Sequence, residues 1–146
     1  MSARAVRLTD VDIDNALAKA HLETVFQPIF SLPDRTLLRH EAFVRWDHPG
    51  LGNLPPGAFI SFFESQGRIG DLTRYVLRQA IHQISTAEDL GSPALSINLS
   101  LTDLRDETLP GDILTLLAEA GFPASQLTLE CPPFTPDIPA PEQLQH

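Results

Sequence analysis

The sequence is poor in three things, and each shortage narrows its function. It holds one cysteine, Cys131, in 146 residues, so neither an intramolecular disulfide nor a thiolate zinc cluster can form. Positive charge is scarce: ten Lys and Arg stand against nineteen Asp and Glu, a net charge of -9 that is the wrong sign for gripping a nucleic-acid backbone. DNA and RNA are therefore not expected as partners. No run approaches the roughly 18 to 20 apolar residues that span a bilayer, and residues 1–7 lack the apolar stretch of a secretion signal. The expectation is one cytoplasmic domain without membrane contact.

What is present is patterning. Ile13, Ala16, Leu17 and Ala20 fall on one helical face, with Thr9 and Asp10 as candidate N-caps. Residues 24–32 and 37–46 read as two strands joined by the turn cluster Pro33-Asp34-Arg35, plausible as an antiparallel pair. A loop is expected over 47–53, then a short helix carrying Phe59, Phe62 and Phe63, whose simplest reading is core. Asp71 is a candidate cap for the next helix, with Leu72, Val76, Ala80, Gln83 and Ile84 on one side and a break at Asp89-Leu90-Gly91. Residues 94–100 and 126–131 read as further strands, separated by a helix with Pro110 near its start and Gly121 as its stop. Strands alternating with helices define an α/β class built from parallel βαβ units, a barrel or an open sheet. Pro132, Pro133, Pro136, Pro139 and Pro141 then forbid a central strand, so the division is a folded part over 1–131 and an irregular tail over 132–146.

Polar residues interrupt these otherwise apolar strands. Glu41, Phe43 and Arg45 share one face of their strand, opposite Ala42 and Val44, so a carboxylate and a guanidinium can address one ligand. The same alternation equally allows Glu41 to be a strand residue paired with Arg39 or Arg45. Asn98, between apolar neighbours near a strand end, needs hydrogen-bond partners, which either a site or an adjacent loop supplies. Glu130 closes the last strand. The sequon Asn98-Leu99-Ser100 lies in an apolar strand and is discounted for glycosylation, and the five histidines form no ligand cluster.

Taken in order, Gln27-Pro28-Ile29, Glu41-Ala42-Phe43-Val44-Arg45-Trp46 with His48-Pro49, Pro56-Gly57-Ala58-Phe59-Ile60, Tyr75-Val76-Leu77-Arg78-Gln79-Ala80, Asn98-Leu99-Ser100 and Leu127-Thr128-Leu129-Glu130 resemble the first part of bacterial EAL domains. The resemblance implies a partial TIM-barrel-like fold of about four strands with intervening helices, the first strand antiparallel to the rest. It implies the activity of a cyclic di-GMP phosphodiesterase using Mg²⁺ or Mn²⁺. Glu41, Asn98 and Glu130 stand where that family places metal ligands, and hard oxygen donors suit those ions. Gln27 lies near its pocket, Arg45 faces a phosphate of the dinucleotide, and Phe43 replaces the leucine of the family's name motif.

The departures are as informative. After Glu130 the family continues with a hydrophobic residue, a threonine and a second glutamate, where this chain reads Cys131-Pro132-Pro133. Counterparts of the paired aspartates, the catalytic lysine and the later glutamate and glutamine are not found. A closed eight-stranded barrel takes about 250 residues, so roughly half the strands are expected here, with an open edge that a homodimer or protein partner would cover. The expectation is a degenerate EAL protein that binds cyclic di-GMP or a protein and does not hydrolyse. The alternatives are an active phosphodiesterase completed by another chain, and an adaptor without ligand.

Overall fold

The computed structural model describes residues 8–87 and 94–132. Helix α1 (Asp10–Ala18) leads into strand β1 (Leu22–Phe30), which turns back into the long strand β2 (Leu37–His48). Strand β3 (Gly52–Leu54), helices α2 (Pro56–Ser65) and α3 (Ile69–Thr86) and strand β4 (Leu95–Asn98) follow. A single helical turn, α4 (Leu101–Leu104), precedes helix α5 (Leu109–Ala120) and the last described strand, β5 (Leu127–Glu130). The sheet runs β1-β2-β4-β5, with β3 hairpinned onto β2. β1 is antiparallel to β2, while β2, β4 and β5 are mutually parallel. This is the expected α/β arrangement, an open mixed sheet with its first strand reversed. No described helix is long and apolar enough to cross a membrane.

The helices cover one face of this sheet. Along β2, His40, Ala42, Val44 and Trp46 are buried while Phe43 and Arg45 between them are exposed, and Leu95 and Ile97 of β4 join the buried side. Trp46 sits fully enclosed, edge-on to Phe59 at 5.7 Å between ring centroids and to Phe63 at 5.8 Å. The aromatic helix is therefore core, as its spacing predicts. α3 lays Leu72, Val76, Leu77, Ala80, Ile81 and Ile84 against the sheet. Its Arg74 is the electrostatic tie to the following segment, with Nε donating to Asp112 at 2.7 Å and Nη2 3.1 Å from Asp106.

Three local readings need correction, and one short helix is additional. The loop expected over 47–53 is largely sheet, because β2 runs on to His48 and pairs with β3 through Trp46↔Leu54 and His48↔Gly52. Gly52, at φ 79°, permits the reversal. Asp71 does not cap α3: the helix starts two residues earlier behind Arg68, and Asp71 instead accepts from Arg68 Nε at 2.6 Å within the first turn. Ala20 falls outside α1, at φ 58°. α4 was not anticipated, although its capping box pairs Ser100 with Asp103 in the usual reciprocal way. The break at Asp89-Leu90-Gly91 and the tail from residue 133 lie outside the described residues.

The outer edge of β1 is closed by side chains of α3. His21 O accepts from Asp47 N, so odd-numbered residues of β1 face β2 and even-numbered ones point away. Tyr75 Oη donates to the outward Leu22 O at 2.8 Å, and Gln79 Oε1 accepts from the outward Thr24 N at 3.0 Å. The next outward positions include Pro28, which has no N–H to leave unpaired.

The β2–β3 hairpin is fastened to α1 by one histidine. His48 Nδ1 accepts from the backbone N–H groups of Gly50 and Leu51 at 3.0 and 3.1 Å, which leaves Nε2–H to donate to Asp12 Oδ1 at 2.9 Å. The other oxygen of Asp12 accepts from Thr9 N at 2.8 Å, completing the cap of α1. Burial pushes the Asp12 carboxyl up, but the hydrogen bonds from His48 and Thr9 outweigh it and hold its pKa below the usual value. A lowered carboxylate pKa stabilises the fold fully above about pH 4 and less as pH falls through the lowered value. His48→Ala is expected to cost about 1–3 kcal/mol in urea unfolding followed by the emission of Trp46; an unchanged midpoint would count against this fastening. Asp12→Asn should remove part of the acid sensitivity seen in wild type as pH falls below about 4.

Candidate functional site

Among the described residues the helices all lie behind the sheet and leave the opposite face open, and strand alternation decides which side chains reach it. On β1 these are Glu23, Val25, Gln27 and Ile29; on β2, Arg39, Glu41, Phe43 and Arg45. Ser96 and Asn98 join them from β4, and Thr128 and Glu130 from β5. Register then fixes the levels. Gln27 is opposite Glu41, Glu41 is beside Ser96, and Asn98 is beside Glu130. The ladder continues past the strand ends, since Leu99 N donates to Glu130 O at 2.8 Å.

Three of the residues singled out from sequence meet here. Asn98 Nδ2 donates to Glu41 Oε2 at 2.9 Å, and Glu130 stands next to Asn98 on the adjoining strand. Burial, and then the charge of Glu41, hold the Glu130 carboxyl above its ordinary pKa against the opposing pull of Arg39. Glu41 therefore pairs with neither Arg39 nor Arg45. Gln27 and Phe43 flank it, the first across the β1–β2 pair and the second one step further along the face. Arg45 is four residues from Glu41, about 13 Å along the strand, and its Nη2 is held by Glu23 Oε1 at 2.7 Å.

Arg39 is the site residue that sequence reading placed only as a possible neighbour of Glu41. Its Nε donates to the buried Ser96 Oγ at 2.5 Å and its Nη2 lies 3.7 Å from Glu130 Oε2. It thus reaches diagonally from β2 across β4 to β5. The only available signal was its position two residues before Glu41, on the same face. Beside Asn98 and Phe43 a largely apolar cavity of about 270 Å³ opens between the sheet and the helices, bordered by Pro56, Ile60 and Leu72.

Among the described residues no three His, Cys, Asp or Glu side chains converge as a metal-binding group. The set at this site is two carboxylates and one amide. It fits a hard divalent cation on two grounds: all three residues offer oxygen donors, and Glu41 and Glu130 crowd each other enough to disfavour their joint ionisation. Glu41, Asn98 and Glu130 would be the ligands.

The fold points to one class of protein, an open α/β sheet that matches part of a barrel. The model of the EAL domain matches residues 10–136, and the chain belongs to that family. An uncharacterized protein of Mycobacterium tuberculosis is 36% identical over 118 residues, which cover 79% of this chain and 38% of that protein. The cyclic di-GMP phosphodiesterase NbdA of Pseudomonas aeruginosa is 34% identical over 121 residues, or 82% of this chain and 16% of NbdA. In structure, the chain is similar to the PaMucR phosphodiesterase in its c-di-GMP complex, with a TM-score of 0.74 at 28% identity over 82% of this chain and 49% of that one. The chain thus spans less than half the length of these relatives.

The raised Glu130 pKa carries a sign. Ionising Glu130 costs the metal-free fold stability as pH rises through that raised value. Glu130→Gln, measured with chelator at neutral pH, should therefore unfold at the same or a higher temperature than wild type. A clear fall in the midpoint would mean that Arg39 outweighs Glu41 at this carboxylate.

Proposed function

We propose that this domain serves cyclic di-GMP signalling by holding the dinucleotide against the open face of its sheet, and that it acts by binding rather than by hydrolysis. The observation that carries the reading is that Asn98 and Glu130 are paired at the ends of β4 and β5, while Asn98 Nδ2 reaches diagonally to Glu41 Oε2 on β2 at 2.9 Å. The names of NbdA and the PaMucR complex supply the ligand class.

In this reading Glu41, Asn98 and Glu130 hold Mg²⁺ or Mn²⁺. Such an ion polarises a phosphodiester when bound. Arg45 meets a second phosphate oxygen pair by exchanging the carboxylate of Glu23 for it, a substitution of one anion for another on the same fork. Gln27 and Phe43 border the ligand on either side of Glu41. The argument against turnover is the segment after Glu130. Cys131-Pro132-Pro133 stands where the resemblance places a second glutamate, the one that in the family helps hold a loop over the metal site, and a site without that support is expected to turn over little. A protein partner or a second copy pairing with the outer edge of β5 belongs to the same proposal. The second reading, turnover in an assembled site, is favoured by the chain matching only 49% of the PaMucR chain.

Titration calorimetry with cyclic di-GMP tests this. Binding is expected with millimolar Ca²⁺ and not with chelator, weakened about tenfold or more by Glu41→Gln, in line with the loss of a charged ligand. Incubation with Mg²⁺ or Mn²⁺ should yield no linear pGpG. Absence of binding in Ca²⁺ overturns the proposal, whereas production of pGpG supports the second reading.

A further inference from the structure

The open face carries its own cation beside Glu130, one of the proposed metal ligands. Arg39 is not a solvent-swept side chain: its Nε is tied to Ser96 Oγ at 2.5 Å, and Ser96 is fully buried. That anchor aims the guanidinium at Glu130, with Nη2 3.7 Å from Oε2. The separation is too long for a hydrogen bond but within ion-pair range, so the contact is electrostatic and breakable. On the other side of the site, Glu41 is engaged by the amide nitrogen of Asn98 rather than facing its oxygen. Each of the two carboxylates is thus answered by a donor from the protein itself. Arg45 does not compete for this role, being bound to Glu23.

We infer that Arg39 is a built-in counter-ion for Glu130, which a divalent cation held by Glu41, Asn98 and Glu130 must displace, and that it thereby sets the metal affinity of the site. The inference rests on the donor set proposed above and concerns only how tightly that set takes a metal. A dication placed among Glu41, Asn98 and Glu130 would be repelled by a guanidinium already in contact with Glu130. It would also have to compete for that carboxylate, while the Ser96 bond restrains Arg39 from moving aside. Arg39 is a positioning and affinity-setting residue here, not a catalytic one.

The test is Mn²⁺ binding alone, by calorimetry near neutral pH, for wild type, Arg39→Met, Arg39→Gln and Arg39→Lys, with Glu130→Gln as the ligand-loss control. Removing the charge should tighten Mn²⁺ binding by about tenfold or more. Arg39→Lys, which keeps it, should stay within about threefold of wild type. Thermal unfolding gives a second readout in the same proteins: without metal, Arg39→Met should melt below wild type, and Mn²⁺ should raise its midpoint further than it raises that of wild type. Arg39→Gln keeps the question answerable should the methionine variant fold poorly. Binding in Arg39→Met and Arg39→Gln that equals or falls below wild type overturns the role of Arg39 and leaves the metal site standing. No Mn²⁺ binding in wild type or any Arg39 variant overturns both, and binding undiminished in Glu130→Gln places the metal elsewhere and does the same.

Discussion

The structure depends on the register of three parallel strands. β4 and β5 are only four residues each, yet their alignment with β2 decides which polar groups become neighbours. A slip of one residue would turn Ser96, Asn98, Thr128 and Glu130 toward the helices and push Leu95, Ile97, Leu127 and Leu129 into the open. The buried leucine and isoleucine of β4 beneath α3 forbid that slip. The same hydrophobic term that holds the core thus places the carboxylates.

Two edges of the sheet are treated differently. β1 is sealed at Leu22 and Thr24 by Tyr75 and Gln79, and Pro28 removes a further donor. At β5 the last described strand, Leu129 is 39% exposed on the helix side although its lateral neighbour Ile97 is buried. Among the described residues no strand pairs with the outer side of β5, and an edge with an exposed apolar residue is a surface that pairs readily. The chain matches 49% of the PaMucR chain.

Local chemistry was legible in the sequence and lateral chemistry was not. Thr9 as a cap, Gly121 as a stop, the aromatic stripe of α2 and the alternation of β2 are written in neighbouring residues, and all four stand in the structure. The family resemblance extended this to the reversed first strand and the parallel remainder. What escaped depended on the other strand or on a competing partner. β3 is three residues that become a strand only because the end of β2 lies beside them. Asp71 resembles a cap, but Arg68 claims its carboxylate. Arg45 shares a face with Glu41, but the antiparallel register puts Glu23 directly across from it. Arg39 reaches across two strands to Glu130, 91 positions away in number, a contact no local window contains.

The central claim is that the open face of β2, β4 and β5 is a cation-dependent binding site. Paramagnetic broadening of the amide resonances by substoichiometric Mn²⁺ tests it without assuming any activity. The account predicts broadening centred on Glu41, on residues 96–98 and on residues 128–130, reversed by chelator. Broadening centred instead on Asp106 and Asp112 around Arg74, or spread evenly over the acidic surface, would contradict it.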